Sequence, residues 1–107
     1  MRGTVLVVED DPGVRRCLGE FLEADGYEVV SVAHGHAALA VLEDRLPDLL
    51  LIDVELPGLG GWKLVEAVLH YPDLARIPQV LMGQQDDLES ILRRARQLLE
   101  KPLNVAA

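Results

Sequence analysis

The sequence predicts an α/β fold in which helices cover both faces of a parallel sheet. Short, nearly continuous apolar runs alternate along the chain with longer segments whose apolar residues recur every three or four positions. The short runs are rich in Val, Leu and Ile, as is typical of strands buried on both faces. The longer segments can form the crossover helices that connect parallel strands.

Composition limits the class of protein. The 107 residues match one small domain, and 18 acidic against 10 basic residues give a net charge of −8. This charge argues against nucleic acid or an anionic membrane as a direct partner. No apolar run approaches the roughly 20 residues of a membrane-spanning helix. The one cysteine cannot form an internal disulfide, which favours a cytoplasmic location.

The first three elements follow one another closely. Residues 4–9 are predicted to form a strand, and Pro12 suits the first turn of the helix that follows. Gly26 ends this helix, and Glu28–Val32 forms the second strand. The apolar stripe of the helix, expected to face the core, comprises Val14, Cys17, Leu18, Phe21 and Leu22.

The middle of the chain continues the alternation. Residues 37–42 form a small-residue helix, and residues 49–52 form a third strand that ends in Asp53. Residues 56–61 have strong turn chemistry. The next helix ends at Tyr71-Pro72, and its predicted apolar face comprises Trp62, Val65, Val68 and Leu69.

The last third is predicted to add a strand, a helix and a strand. Residues 80–82 form the fourth strand, and Asp86 or Asp87 caps the helix that follows. Residues 97–100 form a weak fifth strand before Lys101. The apolar face of this helix comprises Leu88, Ile91, Leu92 and Ala95.

Charged residues follow three of these strands at the same predicted edge. Asp10 follows the first strand, Asp53 ends the third, and Lys101 follows the fifth. Ligands bind beyond the carboxyl ends of such strands. Glu9, Asp10 and Asp53 would repel one another there unless a cation bridges them, and hard oxygen ligands suit Mg²⁺. A metal, a lysine and an exposed carboxylate together can accept a phosphoryl group.

These residues carry a family resemblance. The chain resembles the receiver domain of two-component response regulators over residues 4–102. The matching stretches are residues 5–15, 47–61, 77–82 and 101–102.

The resemblance implies a flavodoxin-like, five-stranded sheet of order 2-1-3-4-5. It implies that Asp53 accepts a phosphoryl group from a sensor histidine kinase or a phosphotransfer protein, and that Lys101 contacts that group. Asp10, Asp53 and the backbone carbonyl of Glu55 would bind Mg²⁺, with Glu9 as a direct ligand or one acting through water. Such a domain is a switch that catalyses only its own phosphoryl transfer, and it often precedes an output domain.

The chain also departs from the family. Gly83 stands where Ser or Thr is usual, and Leu98 stands where Tyr or Phe is usual, so two switch side chains are missing. The residues after Lys101 are too few for a fifth helix. We therefore expect residues 1–107 to be a single receiver domain shortened at its C-terminus. One sheet face would then be uncovered, and a homodimer through that face is a hypothesis.

Alternative interpretations remain open. A pseudo-receiver, acting as a protein–protein module without phosphorylation, fits the changes at Gly83 and Leu98. A Mg²⁺-dependent phosphatase or small hydrolase is disfavoured because no second general acid is evident. Asp10 could also cap the first helix. The three histidines lack a ligand-like grouping and are expected at the surface.

Overall fold

The computed structural model describes residues 2–58 and 60–100. In chain order the elements are β1 (Thr4–Val8), α1 (Pro12–Ala24), β2 (Glu28–Val32), α2 (Gly35–Asp44), β3 (Leu49–Asp53), α3 (Gly61–His70), α4 (Pro72–Ala75), β4 (Gln79–Met82) and α5 (Leu88–Leu99). All strand pairs are parallel, and the sheet order is β2-β1-β3-β4. The predicted doubly wound fold is therefore confirmed, with four strands in the described part of the chain.

Each face of the sheet carries its own core because successive strand residues point to opposite faces. On one face, Val5, Val7 and Leu51 pack against α1 and α5. On the other face, Leu6 and Ile52 pack against α2 and α3. Helices cover both faces of the described sheet, so the prediction of an uncovered face is wrong. The reason for expecting a homodimer through that face is thereby removed.

The predicted fifth strand at residues 97–100 is also wrong. Residues 97–99 continue α5, and the N–H of Glu100 donates to the Arg96 carbonyl at 2.9 Å. No Gly or Pro interrupts residues 88–100, and Leu99 lies four residues beyond buried Ala95, on the same helical face. One amphipathic helix therefore accounts for the segment better than a short helix followed by a strand.

Five residues of the predicted apolar stripes lie at the surface, namely Val14, Cys17 and Phe21 of α1 and Trp62 and Leu69 of α3. Cys17 is exposed on α1, where Leu18 and Leu22 form the buried stripe. Trp62 is 62% exposed, because Leu64 and Val68 are the side chains that α3 directs into the core. In both helices the predicted apolar stripe was wider than the face that the sheet covers.

Candidate functional site

Three carboxylates meet at the carboxyl edge of the sheet. Glu9 and Asp10 directly follow β1, and Asp53 is the last residue of the neighbouring strand β3. One side-chain oxygen from each of the three lies within 4.8 Å of the other two. The structure thus brings together the acidic residues that the sequence placed at this edge.

Glu9 is the buried member of this group, with 7% of its surface exposed. Its Oε2 accepts a hydrogen bond from the Asp11 N–H at 3.0 Å. The pKa of Glu9 is raised from 4.5 to about 7, mainly by burial and in addition by the nearby carboxylates of Asp53 and Asp10, against the opposing effect of the Asp11 N–H. The three carboxylates are therefore fully ionised near neutral pH only at a cost in free energy, which a bound cation would offset.

The turn after β1 fixes the direction in which these acids point. Asp11, and not Asp10, caps α1, because its Oδ1 accepts from the N–H groups of Gly13 at 2.8 Å and Val14 at 3.1 Å. Arg15 donates from its guanidinium to the Glu9 carbonyl at 2.8 Å and so ties the turn to α1. Because Asp11 is the cap, the exposed side chain of Asp10 is not needed for capping and can lie beside Glu9 and Asp53.

Asp53 is held by the turn that follows β3. It is half-buried, and its Oδ1 accepts from the Glu55 N–H at 2.8 Å. The Glu55 carboxylate in turn accepts from the Gln84 N–H at 3.1 Å, which links the loops after β3 and β4. The Glu55 backbone thus lies beside Asp53, while the metal-binding role of its carbonyl stays a prediction.

Gly61 lets α3 begin directly against this turn. A Cβ at this position would overlap the Asp53 carbonyl oxygen and the Val54 Cα, both of which are backbone atoms. Only glycine fits without moving the main chain that carries Asp53. The sequence showed Gly61 only as part of a turn-rich loop and gave no sign of this close approach.

The end of β4 contains an interaction that the sequence did not predict. Gly83 has no side chain to offer, and its N–H donates to Asp86 Oδ2 at 2.8 Å. Asp86 Oδ1 lies 3.3 Å from Nη2 of Arg94 on α5. Asp87 is the residue that caps α5, by accepting from the Ser90 N–H at 2.8 Å. Two adjacent aspartates precede the helix, and a helix cap needs only one of them. The second aspartate was the feature of the sequence that could have indicated this interaction.

The three carboxylates and the turns that follow β1, β3 and β4 line an open cleft of about 480 Å³. Six carboxylates contribute to its wall, and no lysine or arginine does so among the described residues. The carboxylates belong to Glu9, Asp10, Asp11, Asp53, Glu55 and Asp86.

The expected cation of the site, Lys101, lies outside the described residues. Helix α5 begins after the carboxyl end of β4 and carries the chain away from the cleft. Glu100, which ends it, pairs at 3.4 Å with Arg2, a residue that precedes β1 at the opposite edge of the sheet. Leu98, predicted as the replacement for an aromatic switch residue, is 39% exposed on α5.

A family model described as the response regulator receiver domain matches residues 5–107. Over 108 residues the chain is 33% identical to response regulator PleD of Caulobacter vibrioides, an alignment that covers 97% of this chain. The chain spans 24% of PleD and 34% of the phosphate regulon transcriptional regulatory protein PhoB of Rhizobium meliloti, which is 37% identical over 78 residues covering 73% of this chain.

Solved structures show the same similarity. The signal receiver domain of a signal transduction histidine kinase from Syntrophus aciditrophicus matches with a TM-score of 0.74 and 33% identity, covering 87% of this chain and 70% of that one. The Mn²⁺-bound form of response regulator Rcp1 matches with a TM-score of 0.70 and 26% identity, covering 88% and 74%. In the part of the chain that the structure describes, no helix is long and apolar enough to cross a bilayer.

Proposed function

The chain belongs to the response regulator receiver domain family, and we propose that it accepts a phosphoryl group on Asp53 with the help of Mg²⁺. The observation that carries this proposal is the approach of Glu9, Asp10 and Asp53 to within 4.8 Å. Three carboxylates at the carboxyl edge of a parallel sheet supply hard oxygen ligands for a divalent cation. They also place a nucleophilic carboxylate beside that cation.

In the proposed reaction an Asp53 oxygen attacks the phosphorus of the donor. A bond forms between that oxygen and phosphorus as the bond from phosphorus to the donor atom breaks, and the donor leaves with the electron pair. The Glu55 N–H, which already donates to Asp53 Oδ1, orients the carboxylate for attack. The domain catalyses only this transfer to itself, and we class it as a switch and not as an enzyme.

The acidic residues fit the predicted cation. Asp10 and Asp53 offer side-chain oxygens at the rim of the cleft, while Glu9 offers a buried carboxylate whose pKa is about 7. Mg²⁺ would neutralise negative charge on the transferring group and on these acids. The similarity to Rcp1, which has been solved in an Mn²⁺-bound form, supports a divalent cation here.

The expected phosphoryl donors are a sensor histidine kinase or a phosphotransfer protein, both met in the cytoplasm. A cytoplasmic location agrees with the one cysteine, Cys17, being an exposed free thiol. Because the chain spans about a quarter to a third of PleD and PhoB, an output domain acting with it is part of the proposal.

A second candidate is a pseudo-receiver that works without phosphorylation. Gly83 provides no hydroxyl at the end of β4, and the described lining of the cleft holds no lysine or arginine. A loss of these contacts would weaken binding of a phosphoryl group, and the domain would then act through its surface alone.

Incubation with Mg²⁺ and acetyl phosphate, read by intact mass, tests the two candidates. We expect the wild type and the control Asp44→Asn, which changes an exposed residue of α2, to gain one phosphoryl group. Asp53→Asn should gain none, and EDTA should abolish the gain. A folded wild type that gains no mass would overturn phosphorylation and favour the pseudo-receiver.

A further inference from the structure

Helix α5 carries an arginine along the edge of β4 that faces away from β3. In the described sheet β4 pairs only with β3. The carbonyls of Pro78 and Met82 accept from β3, so the carbonyl of Leu81 points to the other edge. Arg94 donates from Nη1 to this Leu81 carbonyl at 3.4 Å. Its guanidinium therefore lies on the edge where a fifth strand was expected.

The guanidinium of Arg94 is incompletely satisfied. Its Nη2 lies 3.3 Å from Asp86 Oδ1, but Nε and Nη2 are buried atoms that make no hydrogen bond within the described structure. Guanidinium groups have five donor hydrogens in a fixed plane, and buried donors without an acceptor are rare in folded proteins. Two donor atoms of Arg94 are therefore available to a further acceptor.

The cleft offers the place for such an acceptor. Asp86, which holds Arg94, lines the cleft together with Asp53. Met82, next to Leu81, is the partner of Asp53 in the β3–β4 register. Arg94 and Asp53 therefore flank β4 from opposite sides, and each step between neighbouring strands is about 4.8 Å.

We propose that Arg94 supplies the positive charge that binds the phosphoryl group on Asp53. This inference rests on the proposed phosphorylation of Asp53. A phosphoryl group brings close to two negative charges and repels the Asp86 carboxylate, so the guanidinium exchanges Asp86 for phosphoryl oxygens. Arginine suits this role because its planar donors can bind two oxygens of one phosphoryl group. The exchange also transmits the event to α5, on which Arg94 lies.

Binding of fluoroberyllate, a phosphoryl mimic, tests the inference in the presence of Mg²⁺. Fluorescence of Trp62 reports binding, because α3 begins against the turn that carries Asp53. We expect Arg94→Gln to weaken fluoroberyllate binding about 10- to 100-fold, which corresponds to the loss of one hydrogen bond to a charged group. Arg94→Lys should recover at least half of that loss on a logarithmic scale. The matched control Arg93→Gln, at the exposed neighbour, should stay within about twofold of wild type.

Two further variants keep the test decisive. Asp86→Asn retains an acceptor for the Gly83 N–H but removes the charge that holds Arg94, so we expect tighter fluoroberyllate binding. This result stands even if Arg94→Gln fails to fold by circular dichroism. Lys101→Gln, measured in the same way, tests the lysine to which the family resemblance assigns the contact with the phosphoryl group.

The outcomes separate the two proposals. If wild type neither binds fluoroberyllate nor gains a phosphoryl group, phosphorylation of Asp53 fails, and the role of Arg94 fails with it. If wild type binds and a folded Arg94→Gln binds equally well, only the role of Arg94 is overturned. Binding lost in Lys101→Gln but kept in Arg94→Gln would assign that role to Lys101. Unchanged or weaker binding in Asp86→Asn would likewise contradict the exchange.

Discussion

Replacement of Glu9 by Gln should make the domain more stable at neutral and alkaline pH. Glu9 is 7% exposed, and burial followed by nearby carboxylates raises its pKa to about 7. The unfolded chain ionises this group at 4.5, so the folded state holds the extra proton between these two values. The contribution to stability is therefore fully present below pH 4.5 and is lost as the pH rises towards 7.

The size of this loss follows from the two pKa values. At about 1.4 kcal/mol for each pH unit, ionising Glu9 in the folded state costs about 3 kcal/mol. Glutamine keeps the acceptor for the Asp11 N–H but carries no charge. The free energy of unfolding of Glu9→Gln, relative to wild type, should thus rise by about 2–3 kcal/mol between pH 5 and pH 8.

Urea denaturation in EDTA at pH 5 and pH 8 measures this difference. The control Glu20→Gln removes the same charge from an exposed position on α1 and should stay within about 0.5 kcal/mol of wild type at both pH values. A difference between Glu9→Gln and wild type that does not change with pH would refute the assignment of a raised pKa to Glu9.

Three other predictions use the same denaturation measurement or intact mass. Gly61→Ala should lower the free energy of unfolding by about 1–3 kcal/mol, because a Cβ there overlaps the main chain. The control Gly83→Ala should change it by less than about 1 kcal/mol, since the nearest atom to a Cβ at Gly83 lies at 3.8 Å. Equal effects would contradict the close approach. Leu92→Ala, in the core, should cost about 2–5 kcal/mol, and Leu98→Ala, at the surface, less than about 1 kcal/mol; a reversed order would contradict the observed face of α5. Asp53→Asn should gain no phosphoryl group from acetyl phosphate, and a gain equal to that of wild type would place the phosphoacceptor elsewhere.

The fold was largely predictable because strand periodicity is a local signal. Glu28–Val32 was predicted with its observed bounds, and residues 49–52 were predicted with one residue missing at the end. Residues 97–100 were predicted wrongly, since the expectation of a strand before Lys101 outweighed an apolar pattern that continues the helix to Leu99. Whether a helix ends or continues there depends on packing against the distant strands β3 and β4, and a local pattern does not contain that information.

The candidate site was predictable where residues directly follow strands. Glu9, Asp10 and Asp53 meet because parallel strands end at one edge. Asp86 and Arg94 could not be found in this way, because their pairing depends on where α5 crosses the edge of β4 that faces away from β3. The exposure of Cys17 is a similar case, since the width of the buried face of α1 is set by its neighbours.

The acidic group links the stability of the domain to its proposed ligand. Ionised Glu9 lowers stability by about 3 kcal/mol above pH 7, yet the same carboxylate strengthens attraction for a cation. A cation at 100 times its dissociation constant would add about 2.7 kcal/mol to the folded state, which nearly offsets that loss. Wild type should therefore gain stability from Mg²⁺ at pH 8 and gain less at pH 5, where a proton occupies Glu9. Glu9→Gln should gain less than wild type at pH 8, because it carries one ligand charge fewer. An equal Mg²⁺-dependent gain in both proteins at pH 8 would exclude Glu9 from the cation site.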